Sequence, residues 1–125
     1  MGQTILIAED EPSLLKLLTR KIGSLGFTVI PATDGEEVIA KVKTQKIDLI
    51  LLDLIMPRKN GLQVLQELRV TLRSTIPVII LSNLEKSEDI EAGKAYGVEE
   101  YIIKSHISMR QLAFHIANAL QVAKK

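Results

Sequence analysis

From Lys46 to Gly61 the chain reads KIDLILLDLIMPRKNG, and the rest of the sequence is arranged around this stretch. Asp48 to Leu52 is a near-continuous apolar run of strand length. Such runs suit strands buried on both faces, as in a parallel sheet covered by helices. The run ends in Asp53, a carboxylate at the mouth of the strand rather than in its middle. Met56, Pro57, Asn60 and Gly61 then turn the chain sharply before the next helix. Open α/β sheets carry their chemistry at the carboxyl ends of central strands. Asp53 is therefore read as a nucleophile that accepts a phosphoryl group.

The flanking sequence repeats the same strand-then-helix pattern. Thr4 to Ala8 reads as the first buried strand, followed by Glu9, Asp10 and Glu11. Pro12 suits a first helical turn, where its missing N–H costs nothing. Leu14, Leu15, Leu18, Ile22 and Leu25 then recur at helical spacing, with Gly26 as terminator. Phe27 to Pro31 is the expected second strand, and Asp34-Gly35 opens a helix through about Lys43. Asn60 reads as the cap of a helix carrying Leu62, Leu65, Leu68 and Leu72. Val78 to Ser82 is the fourth strand, Glu88 to Tyr96 a short helix, and Val98 to Ile103 the fifth strand. Lys104, Ser105 and His106 form a loop, and Leu112, Ile116, Leu120 and Ala123 stripe the last helix.

Strands joined by single helices pair in parallel through right-handed crossovers. Five such units are too few for an eight-fold barrel. The expectation is a doubly wound, flavodoxin-like α/β fold: a five-stranded parallel sheet of order 2-1-3-4-5 with five helices. With 125 residues, one domain over 1–125 is expected. A net charge of +1 gives no bulk attraction to nucleic acid or membrane, and no cysteine is present for disulfides or thiolate metal sites. No apolar run approaches the roughly 20 residues of a membrane span. Thr4 to Ala8 is too short for a secretory leader, so the cytoplasm is the expected location.

In the 2-1-3-4-5 order, the ends of strands one and three converge, which brings Glu9 and Asp10 beside Asp53. Three crowded carboxylates repel, and a divalent cation relieves them. All-oxygen ligation with an incomplete protein shell suits Mg²⁺. Ser82 and Lys104, at the ends of strands four and five, flank the same place. They supply a hydroxyl donor and a cation for a phosphoryl group. Phosphoryl transfer rests mainly on positioning and charge neutralisation. Each residue alone has an ordinary reading: a solvated helix start, a cap, a surface lysine, a packed tyrosine. Together, four strand ends each carry the apt residue. His106 and His115 lack metal-ligand spacing and read as ordinary surface or helix residues.

The pairs E-D at 9–10, D-L-I-M-P-R-K-N-G at 53–61, Ser82 after V-I-I-L, and Y-I-I-K at 101–104 resemble the response-regulator receiver family over essentially the whole chain. The resemblance implies that Asp53 takes phosphate from the phosphohistidine of a sensor histidine kinase or phosphotransfer protein. It implies Mg²⁺ on Glu9, Asp10, Asp53 and the backbone carbonyl of Ile55. It also implies phosphoryl contacts from Ser82 and Lys104, with Tyr101 as an aromatic switch. Movement of Ser82 toward phosphate would let Tyr101 turn inward and remodel the helix 4–strand 5–helix 5 face for a downstream target. Catalysis would extend only to the domain's own phosphorylation and dephosphorylation, with no contact to nucleic acid or membrane.

The sequence departs from the family pattern in three places. Ser105 replaces the proline that often follows the lysine. A cis non-proline bond costs roughly 3–4 kcal/mol. The expectation is a trans Lys104–Ser105 bond with a shifted loop, or retained strain. Lys59 stands where an apolar residue is common, and Ser82 where threonine is commoner. Ile55 and Leu84 would border the site with apolar side chains. Three other functions compete. An Mg²⁺-dependent aspartyl-phosphate phosphohydrolase of the haloacid-dehalogenase kind would place a second aspartate where Ile55 stands. A flavin or nucleotide binder would need a phosphate-cradling loop where Glu9, Asp10 and Glu11 stand. A receiver-like interaction domain that does not cycle phosphate would not need the intact acceptor set.

Overall fold

The computed structural model describes residues 2–124, with side chains through residue 121. Three strands consist almost wholly of buried side chains: β1 (Thr4–Ala8), β3 (Leu49–Leu52) and β4 (Val78–Ser82). They form the middle of the sheet, flanked by β2 (Thr28–Ala32) and β5 (Glu100–Ile103) at its rims. All pairings are parallel and the order is β2-β1-β3-β4-β5, as the alternation of strands and helices predicts. The rim strands are less buried than the middle ones: β2 mixes exposed, half-buried and buried positions, and β5 is half-buried except at Ile102. In β2, Pro31 lies opposite Ile7.

Alternate side chains along the central strands feed two cores. Ile5, Ile7, Leu49, Leu51, Ile79 and Leu81 face α1 (Pro12–Gly23) and α5 (Met109–Lys124). Leu6, Ile50, Leu52 and Ile80 face α2 (Gly35–Thr44), α3 (Gly61–Gln66) and α4 (Ser87–Lys94). Each fully buried leucine or isoleucine gains roughly 1.5–3 kcal/mol over exposure. This explains the uninterrupted apolar spelling of β3: both of its faces are core.

The helix ends have identifiable causes. Pro12 opens α1, and the Glu11 carboxylate accepts the Ser13 and Leu14 amides. Asn60 caps α3 in a reciprocal arrangement with Gln63. Beyond α3 the backbone widens into a π-type turn at Glu67–Thr71, closed by the Leu72 amide on the Glu67 carbonyl at 2.8 Å. This turn keeps Leu68 fully buried and lets Arg69 reach the carbonyls of Tyr96 and Ser74 at 2.9 and 3.0 Å. Burial lowers the pKa of that guanidinium, and the charge of Glu99 opposes the change.

Several boundaries differ from the sequence reading. α1 stops at Gly23, so Leu25 is 53% exposed instead of extending the apolar stripe. β2 runs one residue later than expected and ends at Ala32. Asp48 precedes β3 rather than joining it, and its carboxylate accepts the Thr4 amide at 2.8 Å. Lys104–His106 is a short 3₁₀ turn rather than an irregular loop. The side chain of Ala123, expected on the α5 stripe, lies outside the described residues. No helix among the described residues is long and apolar enough to cross a membrane.

Candidate functional site

Strand register builds the site. Ala8 of β1 and Leu52 of β3 are direct partners, so the residues that follow them, Glu9 and Asp53, emerge side by side. Both are buried, at 2% and 6% exposure, whereas Asp10 faces solvent. One carboxylate oxygen from each of Glu9, Asp10 and Asp53 lies within 4.8 Å of the other two. Ser82 ends β4 opposite Ile103 of β5, which places Lys104 at the same edge of the sheet. The Lys104 ammonium donates to Glu9 Oε1 at 2.5 Å and to Asp53 Oδ2 at 2.8 Å. Burial alone would lower its pKa, but the hydrogen bonds and charges of Asp53 and Glu9 outweigh it, so the net shift is upward.

The second carboxylate oxygens of Glu9 and Asp53 each accept a backbone amide. Glu9 Oε2 accepts the Glu11 amide at 3.0 Å, and Asp53 Oδ1 accepts the Ile55 amide at 3.3 Å. Ile55 itself is 58% exposed. The cluster sets three carboxylates against one ammonium, an excess of negative charge carried entirely on oxygen donors. That donor chemistry fits a hard divalent cation.

The wall formed by β4 and β5 is held by lighter contacts. Ser82 is 1% exposed, and its Oγ accepts the Leu84 amide at 3.3 Å. The Leu84 carbonyl accepts the Tyr101 hydroxyl at 2.8 Å. Burial raises the Tyr101 pKa; the nearby Ser82 hydroxyl lowers it, and the charges of Asp89 and Asp53 add to the rise. The Tyr101 ring packs beside Gly93 of α4, where an added Cβ would approach its Cδ2 to 3.3 Å. No peptide bond among the described residues is cis, so Lys104–Ser105 is trans. The Ser105 amide, which a proline would lack, donates to Asn83 Oδ1 at 3.1 Å. His106 Nε2 lies 3.2 Å from Glu85 Oε1.

The opposite wall, the loop from Leu54 to Asn60, is held more firmly. Arg58 Nη1 bonds Asp34 Oδ2 at 2.5 Å, and Asp34 is buried. Arg58 has φ +66°, in the left-handed region that costs a side-chain-bearing residue roughly 1–2 kcal/mol. At Gly35, an added Cβ would lie 2.0 Å from the Lys59 carbonyl oxygen. Only a glycine lets α2 approach that loop so closely. Lys59, the departure that adds charge here, pairs with Glu67. The Gly61 amide closes the loop on the Leu54 carbonyl at 2.9 Å.

Glu9, Asp10, Asp53 and Lys104 thus meet in one place, with Ser82 and Tyr101 linked through Leu84 on the adjoining wall. Sequence reasoning missed three contacts around them: Asp34–Arg58, Asn83–Ser105 and Glu85–His106. Asp34-Gly35 was legible only as a helix start. The loss of proline at 105 was the one signal that a new donor existed there.

Comparison with known proteins agrees with this geometry. The family described as Response regulator receiver domain matches residues 5–117. A probable transcriptional regulator ycf27 of Porphyridium aerugineum is 35% identical over 123 residues, 98% of this chain and 50% of that protein. The alkaline phosphatase synthesis transcriptional regulatory protein PhoP of Bacillus subtilis is 35% identical over 104 residues, 83% of this chain and 43% of that protein. The chain spans about half the length of these curated relatives. The crystal structure of a CheY-like response regulator receiver domain protein from Methanospirillum hungatei JF-1 superposes with a TM-score of 0.92. It covers 99% of this chain and 98% of that one at 23% identity, a likeness of fold. With the matched span, the strand order and the acidic pocket in agreement, the chain belongs to the response regulator receiver domain family of two-component signalling.

Proposed function

We propose that residues 1–125 act as one cytoplasmic receiver domain whose switch is phosphorylation of Asp53. A carboxylate oxygen of Asp53 attacks the phosphorus of a phosphohistidine on a sensor histidine kinase or phosphotransfer protein. The P–N bond breaks, a P–O bond forms, and the departing imidazole takes up a proton. The product is an acyl phosphate. Glu9, Asp10, Asp53 and the Ile55 carbonyl would hold Mg²⁺, which supplies charge neutralisation for the incoming phosphoryl oxygens. Lys104 contributes the second neutralising charge by moving its ammonium from the carboxylates onto a phosphoryl oxygen.

The hydroxyl of Ser82 carries the signal outward. Its Oγ holds the Leu84 amide, and the Leu84 carbonyl holds the Tyr101 hydroxyl. A Ser82 hydroxyl turned toward phosphate releases Leu84, and the ring of Tyr101 shifts with that carbonyl. The ring touches α4 at Gly93 and stands on β5, so the α4–β5–α5 face changes shape for a downstream protein. The domain catalyses its own phosphorylation and dephosphorylation and needs no separate substrate pocket.

One observation carries this reading: a lysine bridging two buried carboxylates at the ends of adjacent strands, with a third acid beside them. The test uses phosphoramidate as donor with and without Mg²⁺, and intact mass as readout. An acid-stable, hydroxylamine-labile adduct that requires Mg²⁺ is expected in wild type and absent in Asp53→Asn. An adduct that persists in Asp53→Asn would show that the acceptor is another residue.

A further inference from the structure

The loop after Asp53 touches the reacting carboxylate directly, through the Ile55 amide on Oδ1 at 3.3 Å. Where that loop sits therefore decides how the carboxylate is turned. Three features outside the pocket hold it. Arg58 reaches the buried carboxylate of Asp34 at 2.5 Å, with Glu36 a further 4.0 Å contact. The Lys59 carbonyl fills the space that a side chain at Gly35 would occupy. Lys59 turns back on Pro57 through an amide–carbonyl bond of 2.7 Å.

Asp34 has two separate tasks, one for each oxygen. Oδ1 caps α2 by accepting the Glu37 amide at 2.9 Å, and Oδ2 takes Arg58. The Arg58 side chain is 63% exposed, and ion pairs with one solvated partner contribute little to stability. Arg58 also sits at φ +66°, a conformation that side-chain-bearing residues avoid unless surrounding contacts impose it. The Lys59–Pro57 bond closes a three-residue turn that holds Arg58 at this angle, and a weakly stabilising ion pair from the tip of that turn makes sense as a device for placement.

We propose that Asp34 and Arg58 are positioning residues: their ion pair fixes the 54–60 loop so that the Ile55 amide orients Asp53 and the Ile55 carbonyl faces the pocket. The proposal rests on Asp53 being the phosphoryl acceptor. Neither residue touches the phosphoryl group. Both act through the loop, from the side of the pocket opposite the Tyr101 wall. Asp34→Asn keeps the cap acceptor and removes the charge. Arg58→Gln keeps the length and removes the charge. Arg58→Lys keeps the charge.

The experiment measures two things on each variant of the 125-residue chain without any phosphodonor. One is Mg²⁺ affinity from backbone amide shifts, with Asp53→Asn as reference. The other is hydrogen exchange of the Ile55 amide, normalised to the exchange of core amides in β3. Asp34→Asn and Arg58→Gln are each expected to weaken Mg²⁺ binding three- to tenfold and to speed Ile55 exchange about tenfold. Core exchange should stay near wild type, and Arg58→Lys should recover most of both losses. Wild-type Ile55 exchange in both charge-removing variants overturns the clamp. So does fast Ile55 exchange accompanied by equally fast core exchange, which would mean general loosening. If wild type itself binds no Mg²⁺ at Asp53, the metal reading fails, and Ile55 exchange still decides whether the clamp exists.

Discussion

The two walls of the acidic pocket are built to different standards. The wall formed by Leu54 to Asn60 is pinned from behind by a buried carboxylate, a tight glycine contact and a closed turn. Apart from Lys104 itself, the wall formed by Asn83 to Lys86 and by Ser105 and His106 is held by single contacts, most of them among exposed or half-buried groups. A pocket needs one fixed side to present its nucleophile and one yielding side to report what happened there. The difference in anchoring supports that division of tasks in the proposed switch.

The contrast can be broken at matched glycines. Gly35→Ala places a Cβ 2.0 Å from the backbone oxygen of Lys59, and backbone cannot swing aside as a side-chain tip can. A loss of about 3 kcal/mol in urea unfolding is expected, the upper range for overpacking. Next in size is Lys104→Met, which leaves Glu9 and Asp53 buried without their shared cation. It should cost about 2 kcal/mol at neutral pH, below the full value for a buried pair because the lysine is partly solvated. Added Mg²⁺ should restore most of that loss.

The same lysine carries a pH signature. Its folded-state pKa is raised, so its contribution is complete below the ordinary lysine value of roughly 10.4 and disappears as pH rises through the raised value. Wild type should therefore lose stability in that alkaline window more steeply than Lys104→Met. Tyr101, also raised, pulls in the same direction in both proteins, so the difference between them isolates the lysine. Parallel pH profiles would mean that the ion pairs contribute nothing to folding.

The smallest effect belongs to Gly93→Ala on the yielding side. Its Cβ would meet the tip of Ile80 at 2.6 Å and the ring of Tyr101 at 3.3 Å. Helical alanine gains about 1 kcal/mol over glycine, which offsets much of that crowding. Net stability should change by less than about 1 kcal/mol, while Tyr101 fluorescence shifts as the ring moves. A cost equal to that of Gly35→Ala would erase the distinction between the walls.

Much of the site was legible because it lies at strand ends. Parallel strands buried on both faces are spelled as short apolar runs, so the first residue after each run marks the carboxyl edge of the sheet. Asp53 after LILL and Glu9 after TILIA are readable in that way. What holds those residues was not legible. Asp34 and Arg58 are 24 positions apart, and their meeting depends on how α2 packs against the loop. Leu25 followed the helical period and still fell outside α1, because that helix ends at Gly23 before the period does. The π-type turn after Gln66 was invisible for a related reason: one added residue per turn leaves an apolar stripe almost unchanged over so short a span.

Pro31 has a consequence beyond this site. It lies in the outermost strand of the sheet, next to Ile7, and has no amide hydrogen to offer a newcomer. A strand from a second molecule approaching that rim would find the ladder interrupted partway along. Crowded solutions of this protein should therefore resist edge-to-edge stacking on the β2 side, and replacing Pro31 with valine should bring precipitation to lower concentrations.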